Sequence, residues 1–434
     1  MIPTRLNIAD NIQLSAIRTD KFKAGLITFT IVIPLTKENI AYNMLLTSVL
    51  KRGTRSYPTI AELNRRLDEL YSSSMDIRSL RLGKNLTLTI SADMLDSCYI
   101  PDDTDVMGGI LDLVSETIND PKLDEGYFPE NTVKQEKRFL TESINSVINN
   151  TRSYASSRLS ELMFAKDDEF PTLEELKDIV AEIDRVKLTE FHRKIWRSSI
   201  LNIFYIGSLS THELSDKLLS HFSPWTTVST KKPILPYPEP ICEYRSITER
   251  MPVSQGKLAI GFKTEACISE NDDRQYTAIV FNELFGGSAA SKLFLNVRER
   301  LSLCYYCSSS YDRYTGTLTV SSGIENKNRN IAEEAILFEL ENIKQGKITE
   351  TELDAAKKSL LNGYRQINDN PYDLQSYYTN RSFFGFYDDI ETAKAKVSQV
   401  SAKDISEFAS SIVCDSVFFV EGTDISGEEI EHDE

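Results

Sequence analysis

The chain has 434 residues, which is enough for two or more domains with complete hydrophobic cores. Its 41% hydrophobic and 26% charged residues are typical of a soluble globular protein. A formal net charge of −16 argues against nucleic acid or an anionic membrane as a partner and favours basic peptides, although acidic charge also serves solubility alone.

The start of the chain carries no targeting pattern. Residues 1–5 are not a charged region followed by an apolar run, as a signal peptide would be. No stretch approaches the roughly 18 uninterrupted apolar residues of a membrane span. We therefore expect a cytoplasmic protein that does not cross a membrane.

The first elements of the chain are predicted to be a strand and two helices. An apolar run at 24–32 is typical of a strand, and a helical run leads from it to Gly53. Thr59 and Glu62 then have the spacing of a capping box, which starts a second helix with one apolar stripe. This order mixes strands and helices from the beginning of the chain.

A hairpin follows the second helix. Alternating apolar and polar residues at 76–82 and 86–90 predict two strands, and 83–85 is a glycine-containing turn between them. Further on, 172–180 is helical, and an apolar run at 201–207 predicts the strand that closes this half.

The four histidines, at positions 192, 212, 221 and 432, offer no obvious catalytic site. No two of them have the spacing of a zinc-peptidase motif, and no G-x-S-x-G sequence exists for a serine nucleophile. His192 lies in a helical run, and His212 stands near the start of a helix. Both are predicted to be surface or capping residues rather than catalytic ones.

A proline-rich segment divides the chain nearly in half. Five prolines between 222 and 242 resist helix and interior strand, so 222–250 is predicted to be a stiff extended linker. It separates an N-terminal domain at 1–221 from a C-terminal domain at 251–424. The acidic residues at 425–434 are predicted to be a disordered tail.

The second half repeats the order of the first. A strand is predicted at 257–262, a helical segment reaches Gly287, and strands at 303–311 and 316–321 form a hairpin. A run at 416–422 closes this half, as 201–207 closes the first.

The helical parts of the two halves also correspond. Residues 148–154 match 367–372, and 172–180 match 390–397. The sequence therefore predicts an α+β fold of two homologous domains, each with a mostly antiparallel sheet packed with helices.

Six cysteines in so long a chain do not suggest a disulfide framework. Cys304 and Cys307 form a C-x-x-C sequence, but it lies in an apolar strand-like run and no second pair exists elsewhere. The favoured interpretation is a pair of reduced cysteines on a strand rather than a redox or metal site.

One segment carries a resemblance to a known family. From Phe285 to Tyr305 the chain has Gly-Gly, Ser, Leu-Phe, Arg298 and, seven residues later, a tyrosine. This ordered set resembles the glycine-rich loop and the Arg/Tyr substrate motif of M16 peptidases, the inverted-zinc-motif family of insulinase, pitrilysin and mitochondrial processing peptidase. The resemblance covers nearly the whole chain, and Cys304 stands where the family commonly has glycine.

The resemblance implies a substrate clamp. Gly286, Gly287 and Ser288 would let a substrate backbone approach closely. Arg298 would hold a peptide carbonyl, and Tyr305 would donate a hydrogen bond to the oxyanion that forms at the scissile carbon. The structural alternative is that Arg298 caps a helix and Tyr305 fills a sheet face. Tyr306 is a rival for the tyrosine role, but strand alternation predicts that it faces the opposite side.

The same comparison finds no zinc site in this chain. Met44, Thr47 and Ser48 occupy the positions of the two histidines and the glutamate in the family's H-x-x-E-H motif. Glu142 is the counterpart of the third ligand, but one carboxylate without imidazoles does not hold zinc tightly, and threonine cannot act as the general base. Glu142 is predicted to be a solvated helix residue.

The resemblance therefore implies a subunit that is inactive alone. Its partner would be an M16 homologue that carries H-x-x-E-H, so that a heterodimer cleaves peptides with zinc held by the partner, in a bacterial cytoplasm. The alternative is an inactive structural or peptide-binding protein, for example a homodimer. A hydrolase with an unrecognised site is a third, less favoured interpretation.

Overall fold

The computed structural model describes residues 1–167, 169–222, 232–240, 243–268 and 273–423, and these fold into two compact units. Unit 1 takes in the described residues of 1–144, 168–235 and 366–389. Unit 2 takes in those of 145–167, 236–365 and 390–434. Each unit is one β-sheet packed with helices, which confirms the predicted α+β class.

Most strands of the described chain lie close to their predicted positions; the exceptions are a hairpin at the start and a strand at Arg245–Met251, which the sequence did not suggest. The strands are β1 (Thr4–Ala9), β2 (Ile12–Arg18), β3 (Ala24–Pro34), β4 (Ser74–Leu82), β5 (Asn85–Leu95), β6 (Leu201–Gly207), β7 (Arg245–Met251), β8 (Gly256–Lys263), β9 (Cys304–Asp312), β10 (Thr317–Ile324) and β11 (Val413–Gly422).

The helices of the same residues include both helical runs predicted before the β4–β5 hairpin. They are α1 (Lys37–Leu50), α2 (Ile60–Glu69), α3 (Val106–Asn119), α4 (Glu130–Ser146), α5 (Thr151–Met163), α6 (Leu173–Glu182), α7 (Arg185–Arg197), α8 (Thr211–Phe222), α9 (Arg274–Asn282), α10 (Arg329–Lys344), α11 (Glu350–Ile367), α12 (Pro371–Ser382), α13 (Ile390–Gln399) and α14 (Ala402–Ser410). Two π-helical segments lie at Glu283–Gly287 and Leu293–Arg300. Within the described chain, no helix combines the length and apolar character needed to cross a membrane.

The sheet of unit 1 has the strand order β1-β2-β6-β3-β5-β4. Among the described strands of this sheet, only β2 and β6 pair in parallel. Strand β3 lies inside the sheet between β6 and β5, and nearly all its side chains are buried. This explains its continuous apolar sequence, since a strand covered on both faces has no solvent side to alternate with.

The sheet of unit 2 repeats this arrangement. Its order is β7-β11-β8-β10-β9, with β7–β11 parallel and the other pairs antiparallel. These five strands have the same order and directions as β2-β6-β3-β5-β4. The predicted duplication is therefore confirmed strand by strand.

The predicted domain boundaries need a correction, because each half gives one helix to the other unit. Helix α5 belongs to unit 2, where Met163 accepts a hydrogen bond from the buried Lys263 ammonium at 3.1 Å and Tyr154 donates to Glu249 at 2.6 Å. Helix α12 belongs to unit 1, where the Tyr372 hydroxyl donates to Asp93. The apolar face of each helix is buried by packing that sequence proximity does not reveal.

The linker predicted at 222–250 ends earlier than expected, because a strand begins inside it. Its described residues 232–240 form neither helix nor strand, in agreement with the proline density. Strand β7, however, begins at Arg245 and pairs in parallel with β11, and its residues alternate between half-buried and exposed as an edge strand does. The predicted acidic tail at 425–434 lies outside the described residues.

Candidate functional site

The position of the missing zinc motif is an ordinary packed helix turn on α1. The Thr47 hydroxyl donates to the Asn43 carbonyl at 2.6 Å, and the Ser48 hydroxyl donates to the Met44 carbonyl at 3.4 Å. The Met44 side chain is half-buried against the core of unit 1. These side chains bond within their own helix or pack in the interior, so they offer no ligand set. No cluster of histidine, cysteine or acidic residues within the described ranges is suited to a metal ion.

Glu142 is exposed to solvent, as predicted. The Glu142 side chain on α4 is 60% exposed and pairs with Arg138 one turn earlier, at 3.1 Å between Nε and Oε1. The buried carboxylate of this helix is Glu136, which pairs with Arg52 from the segment after α1. Glu136 is absent from the predicted residues, although it lies on the same buried stripe of the helix as Val133 and Leu140.

His192 is buried, which corrects the prediction of a surface or capping residue. It lies on α7 with 4% of its surface exposed, and its ring packs nearly perpendicular to the Phe128 ring at a centroid distance of 5.5 Å. Burial lowers the pKa of its imidazole to about 4, so it is neutral near pH 7. His212 lies at the second residue of α8 and is 87% exposed, as predicted.

The glycine-rich segment forms the first π-helical segment. Gly286 is buried, and a Cβ atom there would lie 2.7 Å from the backbone nitrogen of Ser309 on β9. Because Gly286 has no side chain, β9 can pack closely against this segment. Gly287 is exposed, and the Ser288 hydroxyl donates to the Glu283 carbonyl at 3.1 Å. Of the two glycines, only Gly287 is accessible to a ligand in this structure.

Arg298 lies on the second π-helical segment, with 39% of its side chain exposed. Its guanidinium stacks over the Phe294 ring, 4.6 Å from the centroid, and its Nε is 3.6 Å from Glu299. The stacked ring restrains the side chain, while the exposed pair with Glu299 contributes little. Arg298 does not simply cap a helix end, and its donors remain accessible.

A tight connection joins this segment to β9. The Leu303 amide donates to the Val297 carbonyl at 3.2 Å, and Ser302 adopts a left-handed φ of 51°. This connection holds the start of β9 against the helical segment that carries Arg298. The charge of Arg298 reaches Cys304, the first residue of the strand.

Strand β9 carries a bulge at Tyr305, which corrects the alternation argument. Gly323 of β10 pairs with Tyr306, and the next residue, Ile324, pairs with Cys304, so Tyr305 is an extra residue. Simple alternation therefore does not separate the two tyrosines. Exposure does, because Tyr305 is 64% exposed whereas Tyr306 is half-buried.

Tyr306 has its own structural role. The guanidinium of Arg152 on α5 lies 4.3 Å from the centroid of its ring. Tyr305 has no such packing among the described residues, and it does not fill a sheet face. It is therefore the more accessible of the two tyrosines for a ligand.

The bulge also brings the two cysteines of the C-x-x-C sequence together. The thiols of Cys304 and Cys307 are hydrogen-bonded to each other, which lowers the pKa of Cys304 to about 7, with a further contribution from the Arg298 charge. Cys307 is buried, and its pKa is raised. Both are free thiols on a strand, as predicted.

Comparison with known proteins shows which family the chain resembles. The family described as "Peptidase M16 inactive domain" matches residues 182–360. The chain is 30% identical over 415 residues to the "Probable inactive metalloprotease YmfF" of Bacillus subtilis, covering 94% of this chain and 95% of that protein. It is 24% identical to the "Uncharacterized zinc protease YmxG" of the same organism, over 54% of this chain and 56% of that one.

A solved structure agrees with these relatives. The crystal structure of a conserved protein from Enterococcus faecalis V583 has a TM-score of 0.89 and 30% sequence identity to this chain. The match covers 98% of this chain and 99% of the other. The likeness extends over both units.

Proposed function

The chain belongs to the M16 peptidase family as an inactive-type member, and on this premise we propose that it is the non-zinc subunit of a heterodimeric M16 peptidase. The observation that carries the proposal is the contrast between its two motif positions. Met44, Thr47 and Ser48 supply neither metal ligands nor a general base. Arg298 and Tyr305 keep accessible donors on adjoining segments.

The contribution of this chain is to hold the peptide. Arg298 has donors that suit a peptide carbonyl, and its stacking on Phe294 reduces the freedom lost on binding. Tyr305 donates from an exposed position at the start of β9 to the oxygen that gains negative charge during hydrolysis. Zinc and the general base belong to the partner, where bound zinc would activate the attacking water. This chain therefore has no activity alone.

The relatives support the choice of partner. The chain is similar both to a probable inactive metalloprotease and to an uncharacterized zinc protease of one organism, Bacillus subtilis. A zinc-motif homologue of this chain is thus the natural partner, and a bacterial cytoplasm is the proposed setting. The substrate is a peptide, and the net charge of −16 favours a basic one.

The test is zinc-dependent peptide hydrolysis by this chain, by its zinc-motif homologue and by their mixture. We expect activity to require the mixture. Tyr305→Phe should reduce kcat by roughly a hundredfold, as loss of one oxyanion donor does, whereas the control Tyr306→Phe should leave kcat unchanged. Arg298→Ala should reduce kcat/KM by roughly tenfold or more, and Arg300→Ala, two residues away, should not.

Full activity of the Tyr305→Phe and Arg298→Ala variants in the mixture would refute the clamp. Absence of activity in the mixture, together with a stable homodimer in light scattering, would instead favour a structural or peptide-binding protein. Hydrolysis by this chain alone would refute the inactive subunit itself.

A further inference from the structure

A cavity in unit 1, remote in sequence from the clamp, has the features of a ligand site. It has a volume of about 280 Å³ and lies between one face of the β1-β2-β6 part of the sheet and the segment from α12 to Tyr387. This is close to the lower limit of small-molecule sites, about 300 Å³. Most side chains that line it are polar, and none among the described residues is acidic.

The strand register explains the polar floor of the cavity. Asn7 pairs with Gln13, and Gln13 pairs with Asn202, so three amide side chains form one row across three strands. Arg5 pairs with Ser15 in the next row on the same face. If α12 covered this face of the sheet only to stabilise the fold, the face would be apolar, as the opposite face of β2 is.

Arg5 has no counter-ion among the residues that the structure describes. Its Nε and Nη2 atoms are buried and make no hydrogen bond to any described residue. Its guanidinium lies over the Tyr387 ring, 4.4 Å from the centroid, and burial lowers its pKa. The Arg5 side chain as a whole is half-buried, but leaving two buried nitrogens without acceptors is costly, so an anionic group in the cavity would stabilise it.

A second polar group faces the same space. Thr379 on α12 lines the cavity, is 5% exposed, and its hydroxyl has no hydrogen-bond partner among the described residues. Buried hydroxyls are normally hydrogen-bonded. The buried Thr379 hydroxyl and two buried nitrogens of the half-buried Arg5 thus line one cavity, without hydrogen-bond partners among the described residues.

We propose that this cavity binds a carboxylate, with the Arg5 guanidinium and the Thr379 hydroxyl as donors and the row of amides contacting the rest of the ligand. A planar guanidinium matches a carboxylate with two parallel hydrogen bonds. One cation with neutral neighbours suits a monoanion better than a phosphate dianion. The ligand is a small organic acid or the C-terminus of a peptide, since both present the same group. The site is independent of the peptidase proposal.

The test is isothermal titration of the full chain with four probes: N-acetylalanine, trialanine, trialanine amide and inorganic phosphate. We expect saturable binding of at least one of the two carboxylates, and no binding of the amide. Arg5→Gln should weaken that binding at least about tenfold, and Thr379→Val by a few fold. Arg65→Gln, an exposed arginine of the same unit on α2, removes the same charge elsewhere and should change nothing.

Thermal unfolding of each variant checks that the fold is kept, and Arg5→Lys, which keeps the charge but not the planar fork, should give an intermediate loss of affinity. Tighter binding of trialanine than of N-acetylalanine would identify a peptide C-terminus as the ligand, and the reverse would identify a free acid. The proposal is overturned if no carboxylate saturates below about 10 mM, if phosphate or the amide binds as well, or if Arg5→Gln binds like the wild type.

Discussion

The buried histidine of unit 1 makes the stability of the fold depend on pH in a defined direction. The unfolded chain binds a proton at His192 with a pKa of 6.5, whereas burial lowers the folded value to about 4. Between these values the unfolded state binds more protons, so stability falls as the pH is lowered from 6.5 to 4 and this contribution is constant below that. At about 1.4 kcal/mol for each pKa unit, the full loss is about 3 kcal/mol.

The substitution His192→Leu removes the titrating group and keeps an apolar contact with Phe128. Urea unfolding followed by circular dichroism at pH 7, 6, 5 and 4 measures stability, and the wild type should lose about 3 kcal/mol more than the variant over this range. Proton NMR of the imidazoles gives the pKa directly, with His192 identified by its absence from the variant. Parallel pH profiles, or a His192 pKa near 6.5, would contradict the buried, neutral imidazole.

Two further predictions concern unit 2, and chemical denaturation measures both. Glu352 pairs with the buried Lys292 at 2.6 Å, and although burial alone would raise the pKa of Glu352, the Lys292 ammonium holds it below its ordinary value. The stability that this pair contributes is present above the unfolded pKa of Glu352, about 4.3, and is lost as the pH falls through its folded pKa. Lys292→Met should therefore cost about 2–3 kcal/mol at pH 7 and less below pH 4. An equal cost at both pH values would contradict this prediction. Gly286→Ala should cost about 1–3 kcal/mol because its Cβ would lie 2.7 Å from the Ser309 nitrogen. Gly363→Ala on exposed α11, with nothing within 4 Å, should stabilise by about 0.5–1 kcal/mol, and a similar effect of both substitutions would count against the packing argument.

Local signals predicted the elements of this fold because their physical causes are local. The capping box at Thr59 and Glu62 is present with both of its hydrogen bonds, and the hairpin predicted at 76–90 turns at Gly83 with a left-handed φ of 58°. The bulge at Tyr305 depends on its pairing with β10, so single-strand alternation could not reveal it. The burial of His192, by contrast, has a local signal, since His192 shares one helical stripe with Leu188 and Ile195.

The candidate site likewise has features that local sequence predicts and features that depend on distant parts of the chain. Sequence reasoning located Gly286, Arg298 and Tyr305 by their order along the chain, and the structure shows Gly286 buried and the other two accessible. In the proposed heterodimer, contact of these two side chains with a peptide would require the partner, and no local pattern contains that information. The cavity beside Arg5 was missed for a related reason. Its wall comes from α12, more than 360 residues further along the chain.

The exchange of helices explains why continuous domain boundaries failed although the duplication was correctly predicted. Helices α5 and α12 occupy corresponding places in the two halves, and each begins at an asparagine cap, Asn150 and Asn370. Both lie in the unit formed mainly by the other half. An exchange that arose after the duplication would affect only one of the two helices, whereas an exchange already present in the repeated unit affects both. The exchange is therefore a property of the repeated unit, and a boundary drawn through the proline-rich segment cuts each unit away from one of its own helices.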